Sequence, residues 1–186
     1  MPEVAAASGN LINKIVEAKN MTYALNNTQI IIKVAPVIDY SVRSLCAKPY
    51  YNHKRGCPNY GKKKGCPPEA PLFDKVYDLS KPIYALINVF DLGSHVKRMK
   101  ELHPEWSQRQ LECCLYWQPK ARKQLLGHIK SFMKEHKEYQ VETCPEAMGV
   151  DISKTLENAG IILEWPPKKW VCQVALAGIP LQYTKR

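Results

Sequence analysis

Cys46, Cys57 and Cys66 lie in the stretch LCAKPYYNHKRGCPNYGKKKGCPP, residues 45–68, and are the side chains of this chain best placed to do chemistry. Thiolates ligate soft and borderline metals, and their spacing in the chain restricts which centre they can hold. Ten residues separate the first pair and eight the second. Structural zinc sites draw their cysteines in pairs about two to four residues apart. The chain has no C-x-x-C, which argues against a zinc ribbon and a thioredoxin-like redox motif, and it lacks the dense ferredoxin run. What remains is a wide loop offering single cysteines beside Gly and Pro, as in Gly56-Cys57-Pro58 and Gly65-Cys66-Pro67-Pro68. Proline fixes φ and glycine lets the backbone wrap closely, which suits a rigid loop around a compact object. The plainer reading is a turn-rich segment with incidental thiols.

No acid stands between Asp39 and Glu69, while Arg43, Lys48, Lys54, Arg55, Lys62, Lys63 and Lys64 do. These cations would offset a thiolate-bound cluster and lower thiol pKa values. Lys54, Arg55, Lys62, Lys63 and Lys64 are also the candidates for binding an anion, although a solvated basic loop has the same composition. Cys144 precedes Pro145 at a turn between elements and is the candidate fourth ligand, with an ordinary loop thiol as its alternative. Cys172, in WVCQVAL, alternates in phase with Trp170, Val174 and Leu176 and reads as core. Cys113 and Cys114 read as neighbours on a helix, where side chains diverge by about 100° and cannot easily share one ion. His53, within the loop, is a further possible ligand.

The elements that must position these groups can be read from hydrophobic pattern. The 186 residues suffice for one sizeable core, and one domain over 1–186 is the expectation. Leu11, Ile12, Ile15 and Val16 mark a helix over 10–19. NNTQIIIKVAPVIDY is a strand interrupted at Pro36, followed by a long loop between Tyr40 and Leu72. PIYALINVFDL, 82–92, is apolar on both faces and reads as a central strand. A short helix follows from Ser94, then PEWSQRQLECCLYW as a helix capped by Ser107. The clearest helix is PKARKQLLGHIKSFMKEHKEY, with Leu125, Ile129, Phe132, Met133 and His136 on one face. Asp151 caps a helix that stops at Gly160, and IILEW with KWVCQVALAGI suggests a hairpin around Pro166-Pro167. The fold class is mixed α and β, α/β or α+β, with one mixed sheet carrying helices.

Apolar runs are far short of the ~20 residues that span a bilayer. The opening MPEVAAASGN has no basic n-region and no apolar h-region, so a cytoplasmic protein is expected. In that compartment disulfides do not persist, and an odd count, seven, leaves at least one cysteine unpaired in any case. A net charge of +10 favours anionic partners without selecting one.

RGCPNYGKKKGCPP resembles the signature of a poorly characterised family of predicted metal-binding proteins: Cys, then Cys-Pro-x-Tyr-Gly, then Cys-Pro-Pro. PEAMGVDISKTLENAGIILEWPP resembles that family's Glu-Ala-x-Gly-Ile-Asp block, so the similarity spans roughly residues 40 to 178. The resemblance implies a cysteine-ligated metal, with Cys46, Cys57 and Cys66 on the family's three N-terminal cysteines, and implies no reaction. Many members carry an additional cysteine-rich group before the later block; here only Cys144 stands there.

Three functions follow. The first is an iron–sulfur protein of the [4Fe-4S] type, ligated by Cys46, Cys57, Cys66 and Cys144 or leaving one iron open, beside a nucleotide or RNA substrate. The second is a zinc-stabilised nucleic-acid-binding module in which Lys62–Lys64 meet phosphates and Tyr50, Tyr51 and Tyr60 stack on bases. The third is a metal-free enzyme. The chain has no Gly-x₄-Gly-Lys-Ser/Thr phosphate loop, no G-x-S-x-G and no H-E-x-x-H, and nothing selects among His95, His103, His128 and His136 as partner to a cysteine. The sequence names no catalytic residue and no redox or protein partner.

Overall fold

The structure, a computed structural model, describes residues 29–49, 54–63 and 65–181. The helix expected over 10–19, and Tyr50, Tyr51, His53 and Lys64, lie outside the described residues. The fold is mixed α and β. Four strands, β1 (Gln29–Val34), β2 (Ile83–Asp91), β3 (Gln140–Glu142) and β4 (Trp170–Gly178), form one sheet in the order β1-β2-β4-β3. All three pairings are antiparallel, so the sheet is not of mixed polarity. The helices are α1 (Phe73–Val76), α2 (Leu92–Leu102), α3 (Gln108–Leu111), α4 (Cys114–Glu135) and α5 (Ile152–Asn158), with 3-10 helices at Tyr40–Ala47 and Pro145–Met148.

The strands follow from β-branched and apolar content. In β1, Ile30, Ile32 and Val34 are buried while Ile31 and Lys33 face out, the period-two pattern of a strand with one covered face. β2 is central, as its apolar residues on both faces require. One face of the sheet carries Ile30, Ile32, Ile83, Ala85, Ile87 and Leu176 into a core shared with Phe73, Tyr77, Met148, Val150 and Leu156. On the other face Leu86, Ala175 and Ala177 pack against Leu125, Phe132 and Tyr139, so α4 lies there as its three-four spacing dictates. Cys172 packs against the first core, and burial pushes its thiol pKa up to about 11. Among the described residues no helix is long and apolar enough to cross a membrane.

Several boundaries differ from the pattern reading. α2 starts at Leu92, because Asp91 and not Ser94 is the cap: its carboxylate accepts from the Ser94 N–H at 2.8 Å. Ser107 does cap α3, in a capping box with Gln110, but that helix ends at Leu111. Cys113 is extended and Cys114 begins α4, so the two do not share a helix. The break places Pro119 near the start of α4. The carbonyl that its missing N–H leaves unserved is that of Leu115, an exposed residue open to water. The hairpin around Pro166 is absent. Ile162 is 85% and Trp165 70% exposed, and the Glu164 carboxylate accepts from the N–H groups of Lys168, Lys169 and Trp170, closing a turn in place of a ladder. Asp151 caps α5 through the Lys154 N–H, and Gly160 follows with φ +82°, both as expected.

His95 is buried on α2 against Phe90, and its Nε2 has no partner among the described residues. Desolvation first, then Arg98 and Lys120, hold its pKa below the usual 6.5. A histidine kept neutral in the fold binds a proton more readily when unfolded, so stability is complete above the unfolded pKa and declines as pH falls below it. His128, also desolvated, adds in the same direction. The urea midpoint is expected to fall between about pH 7 and pH 5.5, and to fall less in His95→Leu; an equal fall in both proteins would exclude His95 as a source.

Candidate metal centre

The cysteine segment is not an irregular loop throughout. Asp39 opens a 3-10 helix of eight residues by accepting from the Ser41 N–H at 2.9 Å and the Ser41 hydroxyl at 2.6 Å. Cys46 lies near the end of that helix. The chain returns so that the Cys57 N–H donates to the Cys46 carbonyl at 2.7 Å. That approach depends on Gly56, which has φ +72° and whose absent Cβ would stand 2.8 Å from the Cys46 oxygen. Tyr60 N–H then donates to the Cys57 carbonyl at 3.2 Å, and Gly61 N–H to the Pro67 carbonyl at 2.9 Å. Cys66 is fixed by its N–H to the Lys63 carbonyl (2.9 Å) and by its own carbonyl, which accepts from Ala70 (3.0 Å). These bonds fold back on itself a backbone whose three cysteines are widely spaced in sequence.

Two latches join this unit to the core. The Arg43 guanidinium donates to the carbonyls of Pro68 and Ala70, each at 2.8 Å, and clamps the two ends of the segment together. The Tyr40 hydroxyl donates to the Asp74 carboxylate at 2.8 Å on α1. A third connection brings in the distant cysteine. Asp39 N–H donates to the Gly149 carbonyl and Asp151 N–H to the Val37 carbonyl, both at 2.8 Å, with Ile38 bridged to Val150. The 3-10 helix headed by Cys144 is thereby laid beside the one that carries Cys46.

The electrostatics record the result. Burial raises the Cys46 pKa first; Cys57, Glu146 and Cys66 raise it further, and Arg43 pulls the other way. Cys144 is exposed by area, yet surrounding protein withdraws water from its thiol and is the first cause of its raised pKa, followed by Glu146; Glu142 and Cys66 add to the rise, against a hydrogen bond with Thr143. The expected lowering of thiol pKa by basic neighbours is therefore overturned at Cys46. There, desolvation and the other potential anions outweigh Arg43, the one cation that acts on it among the described residues. Glu146 is exposed by area, yet surrounding protein strips water from its carboxyl and lifts its pKa; its own backbone N–H opposes this and Asp151 adds to it.

Cys57 and Cys66 thus act electrostatically on Cys46, and Cys66 acts on Cys144, all four being free thiols. The first three are half-buried and Cys144 is exposed. Cys113 and Cys114 stand elsewhere, at the start of α4, and Cys172 is in the sheet. Among the described residues no three Cys, His, Asp or Glu side chains meet closely enough to hold a single metal ion. One tetrahedral zinc would need thiolate sulfurs about 3.8 Å apart, from a Zn–S length of about 2.3 Å. A polynuclear cluster takes each thiolate on a different metal atom, and so accepts a wider ligand set.

Beside Cys57 opens a cleft of about 680 Å³, lined by Lys54, Arg55, Lys62, Tyr60 and, from α3, Arg109. Lys63, an anion-binding candidate, does not line it. Sequence reasoning missed Arg109 and Glu146: both reach the site through tertiary packing, and neither sits in a local pattern that marks it. The chain matches no family model, no curated protein and no solved structure.

Proposed function

We propose that this chain is a cysteine-ligated metalloprotein holding an iron–sulfur cluster of the [4Fe-4S] type on Cys46, Cys57 and Cys66, with Cys144 at the rim, in a reducing cytoplasmic setting. The observation that carries this reading is that free thiols from two distant segments act on one another, Cys57 and Cys66 on Cys46 and Cys66 on Cys144. Thiols that raise one another's pKa form a site where thiolates repel, and bound metal cations relieve that repulsion. When bound, such a cluster supplies electron transfer or, where one iron lacks a thiolate, a Lewis acid. The chain's own groups fix the thiols through Gly56 and the Arg43 clamp, limit water at Cys46 by half-burial, and place cations beside Cys57 for an anionic substrate.

Protein purified without oxygen should be brown, with broad absorbance into the visible and about four iron and four sulfide per chain. Colourless protein with one equivalent of zinc would replace this reading with a zinc-stabilised nucleic-acid-binding module. Folded protein free of any metal would end both.

A further inference from the structure

We infer that the cleft beside Cys57 is a binding site for a nucleoside polyphosphate, with Arg109 as a phosphate ligand contributed from outside the cysteine segment. Lys54, Arg55, Lys62 and Arg109 line one cleft, and no Asp or Glu is among its described lining residues. Among the described residues none of these four cations is paired with a carboxylate; the ion pairs lie at Lys75–Asp74, His103–Glu105 and Lys154–Asp151. Four cations facing one cavity, unpaired among the described residues, repel each other, and the ligand that best relieves them carries several negative charges in a small volume. The cleft's size falls within the roughly 300–1,000 Å³ of small-molecule sites. A strand of RNA would call for a groove tracking successive phosphates with a run of aromatic platforms. Here the cations converge, and Tyr60 is the one aromatic side chain among the described lining residues, enough to stack a single base.

Gly56 to Lys62 reproduces the Gly-x₄-Gly-Lys part of a phosphate loop, but Lys63 stands where Ser or Thr is needed. Its backbone is also spent internally: the N–H groups of Cys57, Tyr60, Gly61, Lys62 and Lys63 all donate to carbonyls of this segment. Phosphate recognition therefore falls to side chains, which makes it strongly dependent on salt. Because Cys57 lines the cleft, the inference rests on the metal-site reading of the same segment, so iron content and nucleotide affinity are to be measured on the same samples. Iron retained without nucleotide binding overturns the cleft alone. Nucleotide binding without iron overturns the cluster alone.

The test is calorimetric titration of the anaerobically purified protein with ATP, tripolyphosphate, adenosine and a single-stranded RNA oligomer. ATP is expected to bind, tripolyphosphate to bind more weakly and adenosine not to bind. Arg109→Glu should raise the ATP Kd at least about tenfold, whereas Lys130→Glu, the same charge change on an exposed part of α4, should leave it unchanged. Tyr60→Ala should weaken ATP binding and spare tripolyphosphate. ATP affinity equal in wild type and Arg109→Glu would overturn the inference, as would tripolyphosphate binding as tightly as ATP. RNA binding tighter than ATP would assign the surface to nucleic acid and overturn it as well.

Discussion

On the cluster proposed above, Cys46→Ser, Cys57→Ser and Cys66→Ser are each expected to yield colourless protein, with iron per chain at least about tenfold below wild type. A serine hydroxyl is a poor thiolate substitute, and each of these thiols has its backbone pinned by hydrogen bonds that stop another cysteine from moving in. Cys144→Ser behaves differently. Cys144 is exposed, and of the other cysteines only Cys66 bears on its pKa. Its loss should leave more than about half of the iron in place, in a cluster quicker to bleach in air. Cys172→Ser should keep wild-type iron, since that thiol packs against the core of the sheet. Iron and absorbance measured on anaerobic samples decide the series, with circular dichroism confirming that each variant is folded. Full iron retention in Cys57→Ser would remove the cluster from this loop.

The second large effect concerns Phe73. It follows the cysteine segment directly, has no exposed surface and stacks at a tilt on Tyr77 with ring centroids 4.6 Å apart. It belongs to the core beneath the sheet, with Ile83, Leu156 and Leu176. Phe73→Ala removes that apolar surface and leaves a cavity among strands and α5 that cannot close over it. The expected cost is about 3–5 kcal/mol. Against a total stability of about 5–15 kcal/mol for a typical domain, that is a large fraction. Urea denaturation should show a lower midpoint with an unchanged slope, and Phe73→Leu should cost less than about 1.5 kcal/mol. The same substitution loosens the seat of Asp74, the partner of Tyr40, so iron retention should fall with stability. A midpoint within error of wild type would show that Phe73 does not carry the join between loop and core.

What the sequence made legible follows the physics of each signal. Strands β1, β2 and β4 were readable because β-branched and apolar residues recur with the sheet's period, and α4 because its apolar residues recur with the helix's. Asp151 and Gly160 were readable because caps act locally. The segment Ile161–Leu163 misled, since β-branched residues favour a strand only when a partner covers them. Ile162 points to solvent, and Glu164 draws the neighbouring N–H groups into a turn. At the site, the thiols could be picked out by type and spacing. That Cys144 reaches them depends on the contact of residues 37–39 with 149–151, which no local pattern encodes. Arg109 and Glu146 were illegible for the same reason. The rise in the Cys46 pKa was missed because counting nearby cations along the chain ignores how much water the fold removes.

The pairing at the middle of the sheet sets a schedule for this protein. β2 is joined to β4 with Ile87 opposite Val174, so the two central strands are made at widely separated moments of synthesis. Closing so long a span sacrifices chain entropy before its contacts form, and folds rich in such distant pairings mature slowly. The thiols at 46, 57 and 66 are synthesised well before β4, the strand that completes the centre of the sheet. For the cluster proposed above, loading would therefore compete with the completion of the sheet by β4, and slow translation of residues 92–169 would lengthen that competition.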